Sequence, residues 1–314
     1  VPPRNVIIVE ERRNPSTDFF ILPLLKHYSG KISRCNFNNL PSPSELEGAT
    51  VIIVRYLPNT WLQLLSIERQ KLHSLIFFMD DDLLDFSASA SMPWNYRIKL
   101  FHLATRRKRW LQKQQAELWV STTYLQKKYA TWSAKLVSPM PISLPDKVRK
   151  IFYHGSASHR AEILWLLPII KEVLHQDEHA YFEIIGDKRT HYLFKKLPRT
   201  TVIHPMSWST YQHFLVTHKG HIGLAPLLDT SFNRARSYTK FFDITSCGAV
   251  GIYASHSPYE NIVTHQHNGL LVDQNKNAWV EAILSLLHND EYCQSLLNNA
   301  SERLNDSTTA TVLP

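Results

Sequence analysis

Cysteine is scarce: Cys35, Cys247 and Cys293 are the three in 314 residues. They are too far apart for a CxxC pair and too few for a disulfide framework. That pattern suits a reducing compartment, and a cytoplasmic protein is expected. No apolar run reaches the ~18 residues that a membrane-spanning helix needs. The sixteen histidines contain no HExxH arrangement and no His/Cys zinc spacing, so no metal site is expected. RRM, KH and helix-turn-helix signatures are absent, as is the aromatic and basic interleaving of single-strand platforms. Nucleic acid is therefore not the expected partner. The opening Val1-Pro2-Pro3-Arg4 has neither a signal-peptide pattern nor a Met, and a trimmed N-terminus is the expectation.

Positive charge is plentiful. The 35 Lys and Arg exceed the 27 Asp and Glu, giving +8 at pH 7. This favours anionic partners: phosphorylated small molecules, nucleic acid or an anionic membrane surface. Hydrophobic content of 44 % is ordinary for a globular chain, and the length suits two α/β domains.

Short, continuous apolar runs recur at Val6 to Val9, Val51 to Val54, Leu75 to Met79 and Leu118 to Val120. Continuous rather than alternating apolar character marks strands buried on both faces of a parallel sheet. Thr60 to Leu72 and Tyr96 to Gln115 read as helices between them, a βαβ rhythm. Pro139, Pro141 and Pro145 then crowd the stretch around Met140 to Pro145, which reads as a linker. The rhythm restarts with strands at Lys150 to His154, Tyr181 to Ile185, Thr201 to Ile203, Ile222 to Ala225, Ala249 to Ala254 and Leu270 to Val272. A helix runs through Ala161 to His175, with a kink or break expected at Pro168. Two domains follow, 1–143 and 144–314. Ligands of parallel sheets sit outside the carboxyl ends of the strands, so a cleft between two facing sheets is the expected site.

Asn233 to Ala254, NRARSYTKFFDITSCGAVGIYA, carries the most chemistry. A basic loop leads into a short helix with Ser237 as expected N-cap, and Gly248 sits where the helix should stop. Helix N–H groups with Arg234, Arg236 and Lys240 nearby make an anion site. Asp243, three residues after Lys240, is placed to accept hydrogen bonds from ribose hydroxyls. At the end of the preceding strands, His154-Gly155-Ser156-Ala157-Ser158-His159-Arg160 permits close backbone approach and adds a cation.

SYTKFFDITSCGAVGIYA resembles the (S/P)-x-T-K-x-x-E signature of family-4-like GT-B glycosyltransferases, the glycosyl transferases group 1. Pro258 to Val263 with Asn268-Gly269-Leu270-Leu271-Val272 resembles that family's E-x-V and N-G-l-l-V elements. Phe182-Glu183-Ile184-Ile185-Gly186-Asp187 resembles its strand-plus-glycine element. The family's acid five residues before the glycine binds the nucleotide ribose, and Asp243 holds that position. Its paired acid eight residues earlier falls on Ala235. The resemblance implies two Rossmann-like domains facing each other across a cleft, the GT-B fold. It implies a hexosyltransferase-type enzyme moving sugar from a nucleotide-diphosphate donor to a glycan or lipid-linked acceptor, in surface polysaccharide biosynthesis. No cofactor beyond the nucleotide-sugar co-substrate is implied. The implied donor site is Gly155, Ser156, Arg160, Gly186, Asn233, Arg236, Ser237, Tyr238, Lys240 and Asp243.

In the first half, Asp80-Asp81-Asp82 follows a buried strand and resembles an acidic element of related enzymes. With Glu11 it forms the expected catalytic, acceptor-side set. Arg106 to Arg109 lies on a helix where Leu100, Leu103, Ala104 and Leu111 make a partial apolar stripe, an option for peripheral contact with the inner face of a membrane. Two rivals remain open: a nucleotide-sugar epimerase on the same scaffold, and a non-enzymatic nucleic-acid-binding protein.

Overall fold

The computed structural model describes residues 5–142, 144–145, 147–155 and 159–309, with side chains through residue 306. They fall into two compact units, residues 1–144 and 145–314. Each is an all-parallel six-stranded sheet with helices between successive strands.

In the first unit the strands are β1 (Asn5–Val9), β2 (Lys31–Cys35), β3 (Thr50–Val54), β4 (Ser74–Met79), β5 (Glu117–Val120) and β6 (Lys135–Leu136). They lie in the order β2-β1-β3-β4-β5-β6. The helices are α1 (Pro43–Leu46), α2 (Asn59–Glu68), α3 (Trp94–Leu103), α4 (Lys108–Lys113) and α5 (Thr123–Lys128). The continuous apolar runs have the expected reason. Ile7, Val9, Val51, Ile53 and Phe77 enter one core. Their neighbours Val6, Ile8, Ile52, Val54 and Phe78 enter another on the opposite face.

The second unit holds β7 (Arg149–His154), β8 (Ala180–Ile185), β9 (Thr200–Ile203), β10 (Ile222–Ala225), β11 (Val250–Ala254) and β12 (Leu270–Val272). Their order is β12-β11-β10-β7-β8-β9. This is the doubly wound Rossmann order, reversing between β7 and β10. Its helices are α6 (Arg160–Gln176), α7 (Lys188–Phe194), α8 (Trp208–Thr217), α9 (Ser231–Arg234), α10 (Thr239–Ser246), α11 (Lys276–His288) and α12 (Asp290–Thr309). The chain thus carries two Rossmann-like domains in succession, the parts from which the GT-B class is built.

Three expectations are corrected. The stretch Tyr96 to Gln115 is not one helix: α3 ends at Leu103, and a 3-10 turn over Thr105–Arg107 precedes α4. The Leu103 carbonyl accepts the Leu57 N–H at 2.8 Å, so a tertiary bond takes the acceptor that the next helical turn needs. Conversely, α6 is one helix through Pro168, so of the expected kink or break the break does not occur. Leu166, Ile169, Ile170 and Val173 around it are buried in the core, and that packing offsets the one lost hydrogen bond. The apolar stripe beside Arg106 to Arg109 is also reassigned. Leu100, Ala104 and Leu111 are buried, so that apolar face is the core side, and Arg107 is buried against Asn59.

Candidate functional site

A cavity of about 670 Å³ opens at the carboxyl ends of β7, β8 and β10, at the switch point of the second unit's sheet. Strand β7 delivers His154 and Gly155 to it, and β8 delivers Ile185 and Gly186. A Cβ on Gly186 would meet the Thr190 side chain at 2.4 Å, so only glycine lets α7 start this close to the strand end. Asp187 caps α7 by accepting from the backbone N–H of Arg189 (3.0 Å) and Thr190 (2.9 Å). The segment after β9 gives the apolar Pro205 and Met206, and α8 adds Trp208 and Tyr211. Opposite stand Arg236, Ser237, Thr239, Lys240 and Asp243. Four cations, Arg160, Arg189, Arg236 and Lys240, line the cavity beside two carboxylates, and one of these, Asp187, is engaged as a cap. The lining thus offers partners both for an anion and for a flat apolar body.

Lys240 and Asp243 lie one helical turn apart on α10. The Lys240 ammonium donates to the His154 carbonyl and lies 5.0 Å from the centre of the Tyr153 ring. Burial pushes its pKa from 10.5 down to about 8; Asp243 opposes that shift and Arg236 adds to it. Burial likewise raises the Asp243 carboxyl above its ordinary value, against the pull of Lys240 and of the Tyr211 hydroxyl. The Tyr238 side chain at the N-cap of α10 makes no capping bond, and among the described residues this helix end is open to an outside anion.

Behind Asp243 runs a buried polar chain. The Tyr211 hydroxyl is 3.2 Å from His154 Nδ1, and His154 Nε2 is 3.3 Å from Glu183 Oε1. Glu183 Oε2 lies 2.5 Å from His218 Nε2 and 3.8 Å from Lys150 Nζ. Glu183 is 2 % exposed. Burial alone would raise its pKa, but His154, His218 and Lys150 together hold it below the usual glutamate value.

The loop before α10 is anchored from within. Asn233 is buried, and its amide donates to Glu162 Oε1 (2.7 Å) and to the Leu228 carbonyl (2.8 Å). Arg236 Nη1 donates to His159 Nε2 at 2.7 Å. A guanidinium can only donate, so His159 is neutral with its proton on Nδ1. Burial, with Lys240 and Arg236 nearby, holds its pKa at about 4.

Of the donor residues read from sequence, Gly155, Arg160, Gly186, Arg236, Ser237, Lys240 and Asp243 line this cavity. Ser156 and Ser158 lie outside the described residues. Asn233 and Tyr238 do not line it. Asn233 is spent on Glu162, and Tyr238 stacks edge-on against Phe242 at 5.9 Å. Tyr238, rather than Ser237, occupies the N-cap position of α10, because Thr239 is its first helical residue. Gly248 does end the helix, at a φ of +67°. His154, His159, Arg189, Trp208, Tyr211 and Tyr259 were missed. For Trp208 and Tyr211 a signal existed: Ser207, a capping residue that α8 uses, comes four residues after the end of β9.

In the first unit the acids divide. Asp80 accepts from Ser16 (2.6 Å) and Arg55 Nη1 (2.7 Å), and Asp81 from Arg55 Nη2 (2.8 Å). Asp82 points elsewhere, to Lys128 (2.5 Å) and the Tyr129 hydroxyl (2.6 Å). Glu11 pairs with Lys99 at 2.6 Å. Sequence reading missed Arg55, which joins Asp80 to Asp81 from the left-handed region, at a φ of +68°. Such a conformation in a non-glycine residue costs of order 1 kcal/mol or more and persists where its surroundings fix it.

No protein-family model matches the chain, and no characterised protein matches it in sequence. Among solved structures it is similar to TarM of S. aureus, in a complex with fondaparinux, α-GlcNAc-glycerol and UDP (10 % identity, TM-score 0.39). That match covers 83 % of this chain and 52 % of TarM, so the chain spans about half of that protein. Anabaena HepE bound to UDP and glucose is similar at 10 % identity and TM-score 0.42, covering 96 % of this chain and 95 % of HepE. A putative UDP-N-acetylglucosamine 2-epimerase from Listeria monocytogenes is similar at 11 % identity and TM-score 0.37, covering 98 % and 95 %.

Proposed function

We propose that the chain is a glycosyltransferase whose second unit binds a nucleoside-diphosphate sugar. The observation that carries this reading is the pairing of Lys240 and Asp243 on one helix face, in a cavity lined by four cations and by the apolar Pro205, Met206 and Trp208. The diphosphate would lie against Lys240, Arg236 and Arg160 at the open start of α10. Asp243 would accept from the ribose hydroxyls, and the base would rest on the Met206 and Trp208 wall. Transfer breaks the bond between the sugar's anomeric carbon and the terminal phosphate oxygen, and negative charge builds on that oxygen. Fixed cations nearby stabilise that charge more in the transition state than in the ground state. The first unit would hold the acceptor near Glu11, Asp80 and Asp81, and the acceptor hydroxyl would pass its proton to one of these carboxylates as its oxygen bonds the anomeric carbon. Surface polysaccharide synthesis remains the expected setting.

A thermal-shift screen with UDP, GDP, ADP and dTDP tests the donor reading. One diphosphate should raise the melting temperature, and a ligand at a hundredfold excess over its Kd adds about 2.7 kcal/mol. Asp243→Ala should weaken that nucleotide by about tenfold, the value of one or two hydrogen bonds to a charged acceptor. No shift with any nucleotide removes the reading. Donor turnover without acceptor and without hydrolysis replaces transfer by epimerisation.

A further inference from the structure

Helix α3 has two apolar faces. Leu100 is buried, and Tyr96 and Leu103 pack against the same core. Opposite them Trp94, Ile98 and Phe101, spaced i, i+4, i+7, form one exposed stripe, 65 %, 42 % and 44 % accessible. Met92, also exposed, extends it beyond Pro93. Cations flank the stripe. The Arg97 guanidinium stacks on the Trp94 ring at 5.2 Å, and Arg106 folds back onto the His102 carbonyl at 3.1 Å. From Phe86 to Ala116 the chain has seven Lys and Arg and no Asp or Glu. Arg107 is turned inward and Lys99 is paired with Glu11, while Arg106, Arg109 and Lys113 are exposed.

We propose that this face of α3 seats the protein on an anionic lipid surface, with Trp94, Ile98 and Phe101 entering the headgroup boundary and the flanking cations meeting lipid phosphates. The chemistry fits an interfacial helix: Trp and Phe on one side, arginine at the rim, and no carboxylate in the segment. A second copy of the chain would bring the same basic segment against itself, and charge opposes that pairing. The helix lies on the surface rather than crossing it, since among the described residues no helix is long and apolar enough to span a membrane. Resting on the transferase reading, one consequence follows: the acceptor is presented at a lipid surface.

Co-sedimentation of the full chain with vesicles tests this. Phosphatidylcholine vesicles containing roughly 30 mol % phosphatidylglycerol should bind it about tenfold or more above pure phosphatidylcholine, with binding weakened by salt. The triple variant W94S/I98S/F101S should lose about tenfold of that partitioning while melting as wild type does, because the three side chains are exposed. R97Q/R106Q should weaken binding to the anionic vesicles alone. No preference for anionic vesicles, or an unchanged triple variant, overturns the proposal. So does self-association that the triple variant abolishes without any vesicle binding. Nucleotide-induced stabilisation, measured alongside, separates the two readings. Vesicle binding without any nucleotide response leaves the docking face standing and removes the transferase, and the converse result does the opposite.

Discussion

Lys240→Met should leave the unliganded protein at least as stable as wild type at pH 7 and weaken nucleoside-diphosphate binding by about a hundredfold or more. The two halves of this result have one cause. A lysine whose folded pKa lies at about 8, below its ordinary 10.5, binds its proton less tightly in the folded state than in the unfolded chain. Folding therefore carries a cost while both states are protonated, below pH 8. The cost shrinks as pH rises from 8 to 10.5 and is gone above that. Its size is on the order of 3 kcal/mol at about 1.36 per pH unit. Methionine removes the cost and keeps the packing. Some of the gain is offset because Asp243 loses its cation. The expected melting temperature is unchanged or raised by up to about 5 °C. An incoming diphosphate supplies the missing counter-charge, and truncating one partner of a desolvated charge pair costs ~2–5 kcal/mol of binding. Wild-type affinity should also fall as pH rises through about 8, approaching tenfold per unit, since only the charged lysine holds the anion. The methionine variant should show no such slope. A less stable variant that keeps its nucleotide affinity would remove Lys240 from the phosphate site.

How far the sequence carries is visible in which residues it exposed. Val51 to Val54 and Leu75 to Met79 announced central strands because both of their faces are buried, and such burial leaves an unbroken apolar run. β2 and β6 gave no such run. Each lies at an edge of the sheet, β2 is Lys-Ile-Ser-Arg-Cys with no fully buried side chain, and β6 is two residues long. The anion end of the cavity was legible because Arg236, Lys240 and Asp243 are neighbours in the chain as well as in space. Its other half was not. His154, Glu183 and Tyr211 sit on three separate elements, and only the register that sets Phe152 beside Glu183 brings them together. The run Asp80-Asp81-Asp82 misled for a local reason. Successive residues leaving a strand point in different directions, so three adjacent carboxylates reach two separate cationic partners.

That hidden half should dominate stability. Glu183→Ala is expected to lower the melting temperature of the second unit by about 10 °C. Glu183 is the carboxylate that Lys150, His154 and His218 share under the cavity floor. Removing the anion costs ~3–5 kcal/mol, because the Lys150 ammonium and the His154 N–H lose their buried acceptor. A unit of this size loses ~2–4 °C per kcal/mol. Glu183→Gln keeps the shape and should fall between the two. The sign with pH is fixed by the depressed pKa of Glu183. Its charge stabilises the fold above the ordinary glutamate value, and the stabilisation is lost as pH falls through the folded value. The gap between wild type and Glu183→Gln should therefore narrow in acid. Binding should respond as well. While Glu183 accepts from His154 Nε2–H, the neutral ring leaves Nδ1 as a second acceptor for the Tyr211 proton, which also faces Asp243, and so draws Tyr211 off the carboxylate that a ribose needs. Without Glu183 the ring is no longer held in that tautomer, and Tyr211 gives its proton wholly to Asp243. Nucleotide affinity should then drop by about threefold to tenfold, one neutral hydrogen bond's worth, and Tyr211→Phe should cancel the drop. A Glu183→Ala protein that melts within about 2 °C of wild type would show that the cluster does not hold this floor together.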